Sequence, residues 1–272
     1  MDKQTGITAR LDLDTQQLAS QYDVLSDFQY ELGVFLIRML DISPSERVLD
    51  IGAGTGRLTS HVADFVGEEG WAIGIDPLKD RIDVARKKIQ PNLSFFVGDA
   101  HDLSRFDSGT LDVVFMNCVF HWLRDETQVL SECARVLKPG GRLGISAMSR
   151  NHPFRPYEIK KFVLSTDRYR DYSESANRVI KYFTENELGN LLDESGFARR
   201  TISPHSGMVT CQDSQGLLDL LRASSFGNFL GHLPEELQVT ASYEIQEKLD
   251  RLRTGEGMSF ELVSLIALAI KD

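Results

Sequence analysis

Three alternate glycines follow a short apolar run in residues 48–58, which read VLDIGAGTGRL. Glycine lets the main chain turn tightly and lets a ligand approach the backbone closely. The next apolar run, WAIGID at residues 71–76, ends in Asp76. A strand, a glycine loop, a helix and a second strand ending in an acid are typical of a nucleoside-binding α/β unit. An ordinary tight turn with a surface aspartate is the simpler alternative, but the complete order of features favours a nucleoside.

Short apolar runs alternate with helical patterns through residues 47–148. The strand candidates are residues 47–51, 71–76, 93–98, 111–117 and 142–148, and the helix candidates are residues 56–66, 78–89 and 126–137. The second helix candidate has Leu78, Ile82, Ala85 and Ile89 on one face. Alternation of this kind predicts an α/β fold with a mostly parallel sheet and helices on both faces.

The flanking segments follow other patterns. Apolar residues spaced three and four apart predict an N-terminal helical segment over residues 1–46, covering the ligand site. A capped helix at 185–195 and strands at 198–203 and 262–270 assign residues 184–204 and 258–272 to the sheet. The remaining stretches, 149–183 and 205–256, do not continue the alternation, and we expect them to form a helical cap over the carboxyl edge of the sheet.

The spacing of the glycines limits the nucleoside. Dinucleotide folds use GxGxxG, whereas this loop reads GxGxG and has Arg57 where a third glycine would stand. The chain also lacks the GxxxxGK[ST] pattern that cradles phosphates. Among nucleoside ligands, an adenosine compound without a phosphate group remains as the candidate.

On these residues the chain resembles the class I S-adenosylmethionine-dependent methyltransferases. Asp50 to Gly56 are similar to the first motif of that family, Gly98-Asp99-Ala100 to its adenine-binding motif, and residues 137–143 to the turn before its fifth strand. The resemblance implies a Rossmann-like seven-stranded sheet whose last strand, residues 262–270, is antiparallel. Residues 47–148 would be the cofactor-binding core.

The resemblance also implies roles for individual residues toward S-adenosyl-L-methionine, with S-adenosyl-L-homocysteine as the product. The main chain at Gly52–Gly54 and the acid of Asp50 would meet the amino acid end of the cofactor. Asp76 would bind the ribose, and Asp99 and Ala100 the adenine. The full predicted cofactor set is Tyr22, Asp50, Gly52, Ala53, Gly54, Gly56, Asp76, Pro77, Asp99, Ala100, Asn117 and Cys118.

Residues 119–123, VFHWL, follow the fourth strand, where side chains would face the transferable methyl group. His121 is a candidate general base, although it could instead bind a backbone carbonyl. Trp122 offers an apolar face and one N–H donor, and packing against the cap is its alternative. The FHW sequence resembles a subset that acts on small acids, such as trans-aconitate and juvenile hormone acid methyltransferases. That likeness implies that Gln29 and Trp122 grip a substrate carboxylate.

Composition sets outer limits on function. The net charge of −10 disfavours a nucleic-acid partner. Three cysteines without a CxxC spacing predict a reducing, cytoplasmic location, and neither a metal site nor a membrane segment is expected. We therefore predict a methyltransferase, monomeric or homodimeric, acting on an oxygen nucleophile of a small molecule. The alternative is a methyltransferase-fold protein that binds the cofactor but regulates or catalyses a non-methylating reaction.

Overall fold

The computed structural model describes residues 9–172 and 180–272. The strands are β1 Arg47–Ile51, β2 Trp71–Asp76, β3 Leu93–Val97, β4 Leu111–Asn117, β5 Leu137–Met148, β6 Arg199–Cys211 and β7 Met258–Ile270. The α-helices of the described residues are α1 Gln16–Leu25, α2 Asp27–Met39, α3 Arg57–Val66, α4 Lys79–Ala85, α5 Glu126–Val136, α6 Arg155–Leu164, α7 Glu185–Glu194, α8 Ser214–Ser224 and α9 Glu235–Asp250. None of the described helices combines the length and apolar character needed to cross a bilayer.

The seven strands form one sheet in the order β3-β2-β1-β4-β5-β7-β6. Strands β1 to β5 pair in parallel, while β7 runs antiparallel to both β5 and β6. The predicted α/β fold is therefore confirmed, including the antiparallel last strand. Parallel strands bring their carboxyl ends to one edge, and the order reverses between β1 and β4, where ligands of open α/β sheets bind.

Apolar burial explains why these segments are strands. In β4, the side chains of Val113, Val114, Phe115 and Met116 are all fully buried, although successive residues point to opposite faces. A strand covered on both faces reads as a continuous apolar run. One apolar cluster lies on the α5 and α7 face of the sheet, and a second lies on the α2 and α3 face.

A further apolar cluster lies largely in the segments that were predicted to form a cap. Helices α6, α8 and α9 contribute residues such as Val163, Leu221 and Ile245, and β6 and β7 contribute their outer ends. The cap therefore has a core of its own beside the carboxyl edge of the sheet. Residues 1–8 of the predicted N-terminal segment and 173–179 of the first predicted insertion lie outside the described residues.

Several predicted boundaries were wrong. Strand β6 continues to Cys211, so residues 205–211 belong to the sheet and not to the cap insertion. It pairs with β7 along all thirteen of its residues, and this pairing gives the extra residues their hydrogen bonds. Helix α4 ends at Ala85 because tighter turns follow, and Ile89 is 89% exposed instead of lying on the buried face.

The N-terminal segment contains two helices that break at Ser26. The guanidinium of Arg57, at the start of α3, donates to the Ser26 hydroxyl at 3.2 Å and to the Asp27 carboxylate at 2.8 Å. The same guanidinium lies 4.8 Å from the centre of the Tyr30 ring. Arg57 thus holds the N-terminal helices beside the glycine loop.

Candidate active site

A cavity of about 260 Å³ opens at the carboxyl ends of β1, β2 and β4. It brings together predicted residues from six separate stretches of the chain. The predicted residues in its wall are Tyr22, Gly52, Gly54, Asp76, Pro77, Asp99, Ala100, Asn117, Cys118 and Trp122. Its size is close to the lower end of that of small-molecule sites.

The glycine loop forms one wall because side chains could not be accommodated there. Gly52 and Gly54 have φ values of 76° and 54°, in the left-handed region that favours glycine. A Cβ atom on Gly52 would lie 2.1 Å from a methyl group of Val119, and one on Gly54 would lie 3.3 Å from the Tyr22 ring. The main chain itself therefore faces the cavity.

Asp76 is the buried acid of the cavity, with 6% of its surface exposed. One carboxylate oxygen accepts from the Gly54 N–H and the other from the Leu78 N–H, both at 2.9 Å. Burial raises the pKa of Asp76, and the charge of Arg81 and the two backbone hydrogen bonds oppose that change. Each oxygen keeps a second lone pair for a ligand hydroxyl.

A smaller cavity of about 30 Å³ adjoins the first and shares Tyr22, Gly52 and Asn117 with it. Asp50 lines this cavity and accepts a hydrogen bond from the Thr59 hydroxyl at 2.7 Å. Burial raises the pKa of Asp50 to about 7. Gln29 lines it too, and its buried side-chain oxygen has no hydrogen-bond partner. The small cavity thus offers two oxygen acceptors to a bound donor.

Hydrogen bonds fix the loop after β4. Cys118 has a φ of 59°, and its N–H donates to the Ser146 hydroxyl at 2.8 Å. That hydroxyl donates to the side-chain oxygen of Asn117, whose amide donates to the backbone oxygen of Gln29, each at 2.8 Å. The network ties β4, β5 and α2 together where the two cavities meet.

Asp99 lies at the rim, where its side chain is 48% exposed. Its carboxylate accepts from His101 Nδ1 at 2.5 Å and from the Arg124 guanidinium at 3.4 Å. The backbone and side-chain hydrogen bonds of His101 lower the pKa of Asp99 and outweigh its desolvation. Asp99 is therefore a charged group at the mouth, adjacent to the buried Ala100.

Comparison with known proteins shows what the segment that contributes to the cavity wall is similar to. Residues 48–141 match the family model described as a methyltransferase domain. This segment is therefore similar to a methyltransferase domain, and we call it the matched domain. It contains the glycine loop, Asp76, the adenine-motif residues and the loop after β4.

Relatives of the domain act on different molecules. The arsenite methyltransferase of Halobacterium salinarum is 31% identical over 167 residues, which cover 60% of this chain and 40% of that protein. The biotin biosynthesis bifunctional protein BioHC of Cellvibrio japonicus is 33% identical over 56% of this chain and 29% of its own length. A demethylmenaquinone methyltransferase of Bacillus cereus is 26% identical over 70% and 87% of the two chains. The chain thus spans less than half of the first two proteins.

Solved structures share the fold of this chain. The YcgJ protein of Bacillus subtilis has a TM-score of 0.60 at 19% identity, covering 89% of this chain and 98% of that chain. Phosphoethanolamine N-methyltransferase 2 of Haemonchus contortus, in complex with S-adenosyl-L-methionine, has a TM-score of 0.59 at 16% identity over 94% and 57% of the chains. At these identities the likeness establishes the fold.

Not every predicted residue lines one of the two cavities. Gly56 lines neither cavity; a Cβ there would lie 2.5 Å from the Phe95 ring, so close packing explains this glycine. His121 also lies outside both linings, and burial lowers its pKa to about 3. Trp122 lines the larger cavity and Gln29 the smaller, so the two do not share one lining. The amide of Gln29 donates to Ser224, which does line the larger cavity.

Residues outside the predicted site set also line the larger cavity. They include Ala9, Leu11, Arg81, Ser224 and Phe226. Arg81 projects from α4 and is not part of a repeating sequence pattern. One local signal for it is its position directly before Ile82 on an apolar helix face. Residues 9–13 lie within the predicted N-terminal segment but carry no periodic apolar pattern.

Arg81 joins three parts of the chain. Its guanidinium donates to both carboxylate oxygens of Asp14 at 3.2 Å and to the Ala223 carbonyl at 2.6 Å. It also lies 4.4 Å from the centre of the Tyr22 ring. The Arg81 and Asp14 side chains are only 5% and 3% exposed. We call residues 9–14 the N-terminal strap, which this buried ion pair fastens over the domain.

The described residues contain no group of three or more histidine, cysteine, aspartate or glutamate side chains that could hold a metal ion.

Proposed function

We propose that the chain is an S-adenosylmethionine-dependent methyltransferase that acts on an oxygen nucleophile of a small molecule. The observation that supports it most directly is the single cavity in which the glycine loop, Asp76 and the adenine-motif residues meet. The predicted FHW subset and its small-acid substrates remain part of this proposal. The relatives named above act on arsenite and demethylmenaquinone, so a small-molecule acceptor agrees with them.

The chemistry of the lining fits the proposed cofactor. Asp76 presents free lone pairs to two vicinal ribose hydroxyls, and the exposed main chain at Gly52 and Gly54 admits a close ligand. The unpartnered oxygen of Gln29 and the carboxylate of Asp50 supply acceptors for an ammonium group in the smaller cavity. This placement favours a cofactor role for Gln29 over the substrate grip expected from the sequence. When bound, the cofactor supplies an electrophilic methyl group on a sulfonium.

The chain positions the reactants and excludes water from the methyl transfer. Phe226 contacts Trp122 edge to face, with the ring centres 4.8 Å apart, and both line the larger cavity. The N-terminal strap covers the same cavity with Ala9 and Leu11. Alignment of two reactants in a closed, dry site is the main requirement of a direct displacement.

The titratable groups of the lining favour a carboxylate acceptor over a hydroxyl. Burial raises the pKa of the Cys118 thiol to about 11, so it is protonated near neutral pH. His101 has both ring nitrogens occupied, one with Asp99 and one accepting from the Asp125 N–H. A carboxylate is already ionised at neutral pH and needs no general base, whereas an alcohol does.

An arsenite acceptor is less well supported, despite the named relative. Soft ions prefer thiolate ligands. Cys118 is the only cysteine in the lining of the two described cavities, since Cys133 is buried in the sheet cluster and Cys211 ends β6. One protonated thiol does not make a thiolate site.

The activity is tested with methyl-labelled cofactor and a panel of small carboxylic acids, phenols and alcohols. We expect labelled product from members of the carboxylic acid set, and none with the Asp76→Asn variant. Product from phenols or alcohols alone would overturn the preference for carboxylates. Cofactor binding without any product would favour the regulatory alternative.

The pH dependence of cofactor binding tests the role of Asp50. Its pKa of about 7 means that the carboxyl is largely protonated at pH 6 and ionised at pH 8. An ammonium group binds the ionised form, so we expect calorimetric affinity to rise from pH 6 through pH 7 and to level off near pH 8. Asp50→Asn keeps an oxygen for Thr59 but cannot ionise, so its affinity should be weaker and should not show this rise. A wild-type affinity that is constant over this range would contradict the assignment.

A further inference from the structure

The side chain of Gln29 links the two cavities. Gln29 lines the smaller cavity, and its Nε2 atom donates to the hydroxyl of Ser224 at 3.0 Å. Ser224 lines the larger cavity and is the last residue of α8, 195 positions further along the chain. One hydrogen bond therefore connects a helix of the cap to a side chain of the smaller cavity.

Backbone hydrogen bonds hold both ends of this link in place. The backbone oxygen of Gln29 accepts from the side-chain amide of Asn117 at 2.8 Å. The carbonyl of Ala223, in the peptide group that leads to Ser224, accepts from the Arg81 guanidinium at 2.6 Å. Gln29 and Ser224 thus approach each other from fixed points on α2 and α8.

The other end of the Gln29 amide lacks a partner. Its side-chain oxygen is buried and has no hydrogen-bond partner in the described parts of the chain. A buried acceptor is costly to leave unpaired. Because the amide group is planar, the bond that holds its nitrogen on Ser224 also determines the direction of its oxygen. That oxygen therefore needs a donor that the described residues do not supply.

The smaller cavity limits this donor to a small group. Its volume of about 30 Å³ admits a group of the size of a water molecule or an ammonium, but not an adenosine. Asp50 lines the same cavity and brings a carboxyl group to it. Hydrogen bonds between charged partners are stronger than those between neutral ones. The pairing of an acid with an amide oxygen therefore favours a cationic donor.

We propose that Ser224 is a positioning residue for the cofactor: by holding the Gln29 amide, it directs the Gln29 oxygen to the ammonium group of S-adenosylmethionine. This inference rests on the proposed function, in which the amino acid end of the cofactor enters the smaller cavity. Ser224 acts on the ammonium through Gln29, from the wall of the larger cavity. The cap helix α8 thereby contributes to recognition of the amino acid end.

The test compares three ligands by calorimetry. S-adenosyl-L-homocysteine carries both the ammonium and the carboxylate, its decarboxylated form carries the ammonium alone, and 5′-methylthioadenosine carries neither. We expect Gln29→Met to bind the first two at least about tenfold more weakly than wild type, because a hydrogen bond to a charged group is lost. Ser224→Ala should weaken the same two by about three- to tenfold, since Gln29 stays but loses the bond that orients it. Methylthioadenosine should bind wild type and both variants within about twofold.

Two further changes at the end of α8 serve as controls. Ser224→Thr keeps a hydroxyl and should restore the wild-type ratio of affinities for S-adenosyl-L-homocysteine and methylthioadenosine. Ser225→Ala is the matched control, because the hydroxyl of Ser225 donates to backbone carbonyls of α8 and not to Gln29. It should leave the same ratio unchanged. The affinity for methylthioadenosine also reports whether each variant is folded.

The outcomes separate this proposal from the proposed function. If S-adenosyl-L-homocysteine does not bind the wild type, both fail. If it binds wild type and Ser224→Ala equally, or if Ser224→Ala weakens methylthioadenosine by the same factor, the positioning role is overturned while the proposed function stands. If both variants weaken S-adenosyl-L-homocysteine but not its decarboxylated form, the amide binds the carboxylate and the ammonium assignment is wrong.

Discussion

Asp76→Ala is expected to abolish measurable binding of S-adenosyl-L-methionine. The carboxylate is buried in the cavity wall and keeps lone pairs toward the interior, where the proposed ribose hydroxyls would donate. A hydrogen bond to a charged group contributes about 1.5–3 kcal/mol, so losing two weakens binding by roughly a hundredfold or more. Isothermal titration calorimetry of wild type and variant measures this difference.

The control for this change must separate ligand contact from loop support. Asp76 also accepts the Gly54 and Leu78 N–H groups, so alanine removes two structural hydrogen bonds. Asp76→Asn keeps the size and one oxygen acceptor while removing the charge. Because asparagine loses one of the two loop hydrogen bonds and alanine loses both, we expect asparagine to lower the unfolding temperature less than alanine, while its affinity for the cofactor is still much weaker than that of wild type. Wild-type affinity in the asparagine variant would exclude the ribose role.

Asp14→Asn should release the N-terminal strap. The Asp14–Arg81 ion pair is almost fully buried, and removing one partner of such a pair costs about 3–5 kcal/mol because the remaining charge loses its counter-ion. Arg81 would keep the Ala223 carbonyl, the Tyr22 and Phe226 rings, one oxygen acceptor of the asparagine and the attraction of the Asp76 charge. Hydrogen exchange at residues 9–15 should accelerate by at least about a hundredfold, since each 1.4 kcal/mol is a factor of ten.

The same strap contains a matched control pair. Arg10 and Asp12 form an ion pair whose side chains are 56% and 65% exposed, and such pairs contribute little. Asp12→Asn should therefore leave exchange in the strap unchanged. If Asp12→Asn and Asp14→Asn accelerate exchange equally, the buried pair does not fasten the strap.

The sheet could be predicted because the residue types in its strands and loops depend on local burial and backbone conformation. The apolar run of β4 is buried on both faces, and the glycine loop takes left-handed angles that other residues rarely adopt. These local requirements determine where Asp76 and the loop after β4 lie. The residues of the predicted cofactor site could therefore be named from the sequence. The antiparallel last strand followed from the resemblance.

The closure above the cavity could not be predicted in the same way. Arg81 donates hydrogen bonds to Asp14, which is 67 positions away in the sequence, and to the Ala223 carbonyl, which is 142 positions away. No local sequence pattern predicts these long-range contacts. Residues 205–211 were misassigned because β6 is at the sheet edge and reads as a mixed polar stretch, which resembles a loop.

The place of β7 in the sheet has a consequence for synthesis on the ribosome. β7 inserts between β5 and β6, so β6 has no other neighbour and joins the sheet only through residues 258–270. Until those residues emerge, β5 presents an unpaired apolar edge, a form prone to association between nascent chains. We expect the earlier βα units to pack together first and the cap to fold only after translation has passed Ile270.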